Sequence, residues 1–200
     1  GQPMHAYDAA KLAGPIGVRH AKSGERCKLL DERDVELDSG FLAIIDADRV
    51  VGLAGVMGGY DTRVTDSTTK VFLEAAHFAP SAIIGRSRKL GMHTDASHRF
   101  ERGVDPAMPR IALERATELV MQIMGGNAGE ISEVELSEHL PKPASVSLRR
   151  ARLQRVLGIQ IEDAKVEKIF KALGMQVQSN DQGWQVIPPT RRFDIEIEED

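Results

Sequence analysis

Phe41-Leu42-Ala43-Ile44-Ile45-Asp46-Ala47-Asp48-Arg49-Val50-Val51-Gly52-Leu53-Ala54 is the stretch whose reading decides the fold. Two short apolar runs rich in β-branched residues flank a short acidic turn, which is the pattern of a β-hairpin. Upstream, Ile16 and Val18 alternate with small residues, and downstream Val71-Phe72-Leu73-Glu74-Ala75-Ala76 is another strand-like run. Residues 15–76 therefore read as β-rich. Glycines crowd this region, and Gly55, Gly58 and Gly59 permit close backbone approach. Beyond it the period changes. Residues 80–90 read as one helix with Pro80 at its start, Ile83, Ile84 and Leu90 on one face, and Gly91 as its stop. A longer helix is expected after Asp105-Pro106, with Ala112, Ala116, Leu119, Val120 and Ile123 on one face and Gly125-Gly126 at its end.

Pro141-Lys142-Pro143 reads as a linker into a smaller unit. There Ser145–Leu148 suggests a strand, Arg149–Leu157 a helix stopped by Gly158, and Glu162–Leu173 a second helix ending at Gly174. A hairpin follows, Met175–Gln178 and Trp184–Ile187 around Asn180-Asp181-Gln182-Gly183. The expectation is an α+β protein in two parts: a mixed β-rich domain with packed helices over residues 1–140, and a helix-turn-helix-like module with a hairpin over residues 141–200.

Hydrophobic residues make up 42% and charged residues 28% of the 200-residue chain, ordinary values for a globular protein. A formal net charge of -4 excludes a whole-molecule basic field, so any RNA contact must come from a local patch. Cys27 is the only cysteine, which rules out an intrachain disulfide and fits a reducing cytoplasm. No apolar run approaches the roughly 18 residues of a membrane span. Both ends, Gly1-Gln2-Pro3 and Glu198-Glu199-Asp200, are expected to lie inside a longer protein.

Three segments carry a resemblance when taken together: Gly1-Gln2-Pro3-Met4-His5-Ala6-Tyr7-Asp8, Gly55-Val56-Met57-Gly58-Gly59, and His93-Thr94-Asp95-Ala96-Ser97-His98-Arg99-Phe100-Glu101-Arg102-Gly103-Val104-Asp105-Pro106. They resemble the editing domain of the bacterial phenylalanyl-tRNA synthetase beta subunit. The smaller unit, with Pro188-Pro189-Thr190-Arg191-Arg192-Phe193-Asp194, resembles the module that follows that domain. The resemblance covers essentially the whole chain. It implies hydrolysis of tyrosine misattached to tRNA(Phe), at a site distant from the one that uses ATP to attach phenylalanine. It implies His5, Gly58, Glu74, Thr94 and Ala96 as site residues, with His5 and Glu74 taking part in the chemistry. The implied partners are tRNA(Phe) and the synthetase alpha subunit, in an assembly of two alpha and two beta chains, with no membrane and no DNA.

Chemistry makes that set reasonable. Tyrosine exceeds phenylalanine by one phenolic hydroxyl, so a site that removes tyrosine cannot sieve by size and must read the hydroxyl. A buried acceptor satisfied by tyrosine and left unpaired by phenylalanine discriminates by roughly four to five decades in the best hydrogen-bonding sites. Glu74 is a carboxylate in a run that otherwise favours burial, and Gly58 and Ala96 leave room for a ring. His5, read as lying ahead of a helix, is expected to orient a water or to contact the tRNA 3′ end. Each residue has a plainer explanation when taken alone: a solvent-facing strand glutamate, a capping or surface histidine, a turn hydroxyl at Thr94, a turn at Gly58-Gly59. The competing function is a non-catalytic tRNA-binding or scaffold segment. With no Gly-x-Ser-x-Gly elbow and no histidine beside Cys27, hydrolysis by a positioned water is expected rather than a covalent intermediate.

Arg86, Arg88, Lys89, Arg99 and Arg102 form a local basic cluster that suits tRNA phosphates, or else a solvated face. His93 and His98 lack both the glutamate of a metalloprotease helix and any thiolate partner, which argues against zinc. The resemblance implies that Asp194 and Asp200 help hold a Mg2+ shared with the alpha subunit, completed by acidic ligands beyond Asp200. Otherwise they belong to an acidic cluster at a helix start. Arg149, Arg150, Arg152 and Arg155 lend the smaller unit a helix-turn-helix look, but fold analogy alone does not make it a DNA reader, and a structural spacer is the expectation.

Overall fold

The structure, a computed structural model, describes residues 1–200. The chain divides into two compact units, Gly1–Val104 with Met108–Ile131, and Asp105–Ala107 with Ser132–Asp200.

In the first unit the strands are β1 (Met4–Asp8), β2 (Ile16–His20), β3 (Arg26–Lys28), β4 (Asp34–Glu36), β5 (Leu42–Asp46), β6 (Arg49–Leu53), β7 (Met57–Gly58) and β8 (Val71–Ala75). The expected hairpin is β5–β6, and the tight turn holds Ala47 at φ 55°. It forms the centre of an antiparallel sheet ordered β2-β5-β6-β7, with β3–β4 and β1–β8 as separate two-stranded ribbons. Leu29, Phe41, Ala43, Ile44, Val51 and Leu53 are among the buried residues of this unit's core. Asp46, at the end of β5, is buried and accepts from the backbone N–H of Ala13 (2.8 Å) and Gly14 (2.6 Å) and from Arg49 (2.7 Å). Burial alone would raise its pKa, but these donors outweigh burial and hold it below the usual range. They fix the loop that leads out of β1.

Four helices complete this unit: α1 (Pro80–Ile83), α2 (Arg86–Lys89), α3 (Asp95–Arg102) and α4 (Met108–Met124). The single helix expected over residues 80–90 is broken, because Gly85 adopts φ 77° between α1 and α2. Helix α3 was not expected, since its sequence buries only Ser97 and Phe100 and shows no long apolar period. Capping starts it instead: Thr94 accepts from the Ser97 N–H (3.0 Å) while the Ser97 hydroxyl accepts from the Thr94 N–H (3.2 Å). Helix α4 begins at Met108 rather than at Pro106. Asp105 accepts from the Ala107 N–H (3.0 Å) just ahead of it.

The second unit contains β9 (Val146–Arg149), α5 (Arg150–Leu157), α6 (Asp163–Ala172), β10 (Gln176–Ser179) and β11 (Gly183–Ile187). Gly158 and Gly174 lie just past the two helices with φ of 70° and 82°, as left-handed stops. The strands form an antiparallel sheet ordered β10-β11-β9. Its core gathers Val166, Met175, Trp184 and Val186. Arg150 pairs with Asp163 (2.6 Å), Arg152 with Glu199 (3.0 Å) and Arg149 with Glu198 (2.5 Å). Arg149 at the end of β9 and Arg150 and Arg152 of α5 are thus balanced by acids of the same unit.

Candidate active site

The site is built on the ribbon β1–β8. Antiparallel pairing sets His5 directly opposite Glu74, and Tyr7 opposite Phe72. Side chains two apart on a strand share a face, so His5 and Tyr7 point the same way as Glu74. His5 therefore lies within a strand, not ahead of a helix. Short, partly polar and paired with a strand some 67 residues away, β1 carries little local signal of its own.

A cavity of about 260 Å³ opens at this face, close to the lower end of the roughly 300–1,000 Å³ typical of small-ligand sites. His5, Gly58, Glu74, Thr94 and Ala96 all line it. Met4, Leu53, Val56, Phe78 and Phe100 supply apolar wall. The five residues singled out from the sequence therefore come together, drawn from β1, β7, β8 and the start of α3.

Each is held by its surroundings. The His5 ring lies across Gly58: a Cβ placed there would fall 2.1 Å from Cε1 and 2.3 Å from Nε2. Gly58 is required to be small by the histidine rather than by its own backbone, which has no positive φ. His5 Nε2 is buried without a hydrogen-bond partner, and burial lowers the imidazole pKa, so the ring is neutral at pH 7. Thr94 donates to the Val56 carbonyl (2.9 Å) and caps α3. Its hydroxyl is thus committed to the protein frame, and it shapes the wall rather than offering a free donor.

Glu74 departs from the expectation of a carboxylate left wholly unpaired until tyrosine arrives. The Tyr7 hydroxyl donates to its Oε2 at 2.6 Å. Burial raises the Glu74 pKa, and the hydrogen bond from Tyr7 opposes that rise. Tyr7 is the residue that sequence reading missed. It stands inside a quoted segment, and strand periodicity from His5 would have placed it on the same face.

The basic cluster is partly engaged within the unit. Lys89 pairs with Asp38 and lies 5.7 Å from the centre of the Phe41 ring, while Arg102 sits against the His98 imidazole. Arg86 adds its charge beside Asp38, and Arg88 and Arg99 are exposed. Asp194 accepts from Arg192 (2.8 Å), and Asp200 accepts from the N–H groups of Glu196 (2.9 Å) and Ile197 (3.0 Å). No group of three or more His, Cys, Asp or Glu side chains in the structure is placed to hold a metal ion. The residues present do not fit a magnesium site by themselves.

A family model described as the B3/4 domain matches residues 1–125, and one described as the tRNA synthetase B5 domain matches residues 146–200. Along all 200 residues the chain is 62% identical to the phenylalanine–tRNA ligase beta subunit of Xanthomonas euvesicatoria pv. vesicatoria. It is 60% identical, over the same length, to that of Xylella fastidiosa strain Temecula1. The chain belongs to the phenylalanine–tRNA ligase beta-subunit family. It spans 25% of the length of these relatives. An N-terminal fragment of the phenylalanyl-tRNA synthetase beta subunit from Pyrococcus horikoshii aligns with 96% of this chain and 55% of its own, at 14% identity and a TM-score of 0.48. No helix is long and apolar enough to cross a membrane.

Proposed function

We propose that the cavity on β1–β8 hydrolyses the ester of tyrosine misattached to tRNA(Phe). The reaction belongs to a cytoplasmic enzyme that attaches phenylalanine to tRNA with ATP, alongside an alpha subunit in an assembly of two alpha and two beta chains. One observation carries this reading: Glu74 sits in a mostly apolar, amino-acid-sized cavity with only Oε2 engaged, by Tyr7, in the chain's hydrogen bonds. An aromatic ring fits in the cavity beside Ala96, and a phenol at its far end meets Oε1 as donor. Phenylalanine brings no donor and leaves that oxygen desolvated, which is the asymmetry that gives hydrogen-bonding sites their selectivity.

His5 supplies the second element. Neutral, with a buried and unpartnered Nε2, it suits accepting a hydrogen bond from a water held against the ester carbonyl. Positioning of that water, rather than a protein nucleophile, carries the hydrolysis. A magnesium ion bound through Asp194 and Asp200 would need further oxygen ligands besides these two.

Soaking tyrosine into crystals of the full-length subunit tests the assignment. The expected density lies in this cavity with the phenol against Glu74; tyrosine bound only elsewhere on the subunit would remove the reading. The basic cluster makes a separate prediction. Neutralising Arg86, Arg88 and Lys89 together is expected to weaken tRNA binding and to shallow its salt dependence, by about 0.7–0.9 in the log–log slope for each phosphate that is no longer neutralised. Equal affinity across a salt titration would assign them to a solvated face. Because Lys89 is already paired with Asp38, Arg88 is expected to account for more of the effect than Lys89.

A further inference from the structure

Tyr7 has no role in the chemistry so far, yet it is 1% exposed and its hydroxyl makes one short bond, 2.6 Å to Glu74 Oε2. A phenol carries a single hydrogen, and here that hydrogen is committed to the carboxylate. The ring is itself fixed, edge-on to the His5 imidazole with centroids 4.4 Å apart and planes at 84°. Across the ribbon His5 is the register partner of Glu74. Tyr7, itself part of the cavity lining, thus touches both His5 and Glu74 and engages one oxygen of the carboxylate.

We propose that Tyr7 is the positioning residue of the discriminating carboxylate: it occupies Oε2, fixes the carboxylate plane, and turns Oε1 toward the cavity for the tyrosine phenol, a role that rests on the Tyr-tRNA reading of the site. The carboxylate then reads the substrate with one oxygen. A freely rotating glutamate would spread its acceptor strength over several rotamers and lose it on ordering. Burial and the neighbouring Glu74 both push the Tyr7 phenol pKa far up, so it stays protonated and remains a donor at every pH the enzyme meets. Its hydrogen bond also favours the ionised form of Glu74 against burial.

The test is a double-mutant cycle in the full-length synthetase assembly, reading kcat/KM for Tyr-tRNA(Phe) deacylation. Tyr7→Phe keeps the buried ring and removes only the hydroxyl. It is expected to slow deacylation about tenfold or more, the value of one hydrogen bond to a charged group, and to change the rate less than about twofold when Glu74 is already alanine. Phenylalanine charging and the melting curve report on folding. A Tyr7→Phe enzyme that edits at the unmodified rate would overturn the proposal, as would equal losses in both backgrounds, which mark a packing role independent of Glu74. If Glu74→Ala itself leaves deacylation intact, the reading of the cavity falls first and the role of Tyr7 with it. If Glu74→Ala slows the reaction and Tyr7→Phe does not, the positioning role alone falls. A tyrosine-soaked crystal gives a second measurement that needs no variant. The ligand phenol is expected at Oε1 with the Tyr7 bond to Oε2 retained; a ligand phenol on Oε2 with Tyr7 displaced would contradict it.

Discussion

Glu74→Ala is expected to slow hydrolysis of Tyr-tRNA(Phe) by one to two decades while phenylalanine charging stays near normal. The estimate is the loss of one charge-assisted hydrogen bond, about 1.5–3 kcal/mol, expressed in the transition state. Selectivity is expected to fall as well, because phenylalanine no longer faces a desolvated carboxylate oxygen. The structure adds a consequence for stability. Alanine leaves the buried Tyr7 hydroxyl without its acceptor, which costs about 1–3 kcal/mol, so the melting temperature should drop even if the fold is kept. Glu74→Gln should be intermediate, since its single amide oxygen can accept from Tyr7 or from the substrate phenol but not both, and one of the two bonds is kept. It should also separate the pH effects. Glu74 has its pKa raised by burial, so its acceptor strength is lost as pH falls through a value above the ordinary glutamate range. His5, with its pKa lowered by burial, protonates on the acid side too. The glutamine variant should erase the carboxylate part of the acid limb and leave the histidine part. A folded Glu74→Ala enzyme that clears Tyr-tRNA at the unmodified rate would return Glu74 to an ordinary strand carboxylate.

Gly58→Ala is expected to cost about a hundredfold in the same reaction, from a single methyl group. The backbone at Gly58 has no positive φ, so alanine is tolerated there conformationally. The obstacle is the His5 ring, which the new Cβ would meet at 2.1 Å. The imidazole must swing away, and displacing a positioned group by about 1 Å is enough for a loss of this size. The far end of a side chain moves more cheaply than backbone, so folding and phenylalanine charging should persist. The check is a deacylation time course beside a thermal melt; unimpaired hydrolysis in a folded Gly58→Ala enzyme would show that the position of His5 is immaterial.

How much of this the sequence showed depended on how local the signal was. The β5–β6 hairpin was legible because two β-branched runs and an acidic turn lie within a few residues of one another. The ends of α5 and α6 were legible because Gly158 and Gly174 adopt the left-handed conformation that stops a helix. Helix α3 was hidden because capping by Thr94 and Ser97, rather than an apolar stripe, begins it. The break between α1 and α2 depends on one glycine φ, at Gly85, that periodicity does not reveal. In the site, the residue types of His5, Gly58, Glu74, Thr94 and Ala96 were readable through the resemblance. The engagement of Glu74 by Tyr7 was not, because it spans 67 residues and requires knowing that β1 is a strand paired with β8. The commitment of Thr94 to the Val56 carbonyl was hidden because it too joins residues far apart in the chain, 38 positions.

The most direct test is to give the unmodified synthetase assembly, with the full-length beta subunit, Tyr-tRNA(Phe) and Phe-tRNA(Phe) in parallel and to follow loss of the amino acid from each. A site that reads the phenol through Glu74 predicts rapid clearance of the tyrosyl ester and a phenylalanyl ester that persists, with the difference reduced in Glu74→Ala. Tyr-tRNA(Phe) that survives as long with the assembly as in buffer alone would contradict the account and leave a tRNA-binding or scaffold role for this chain.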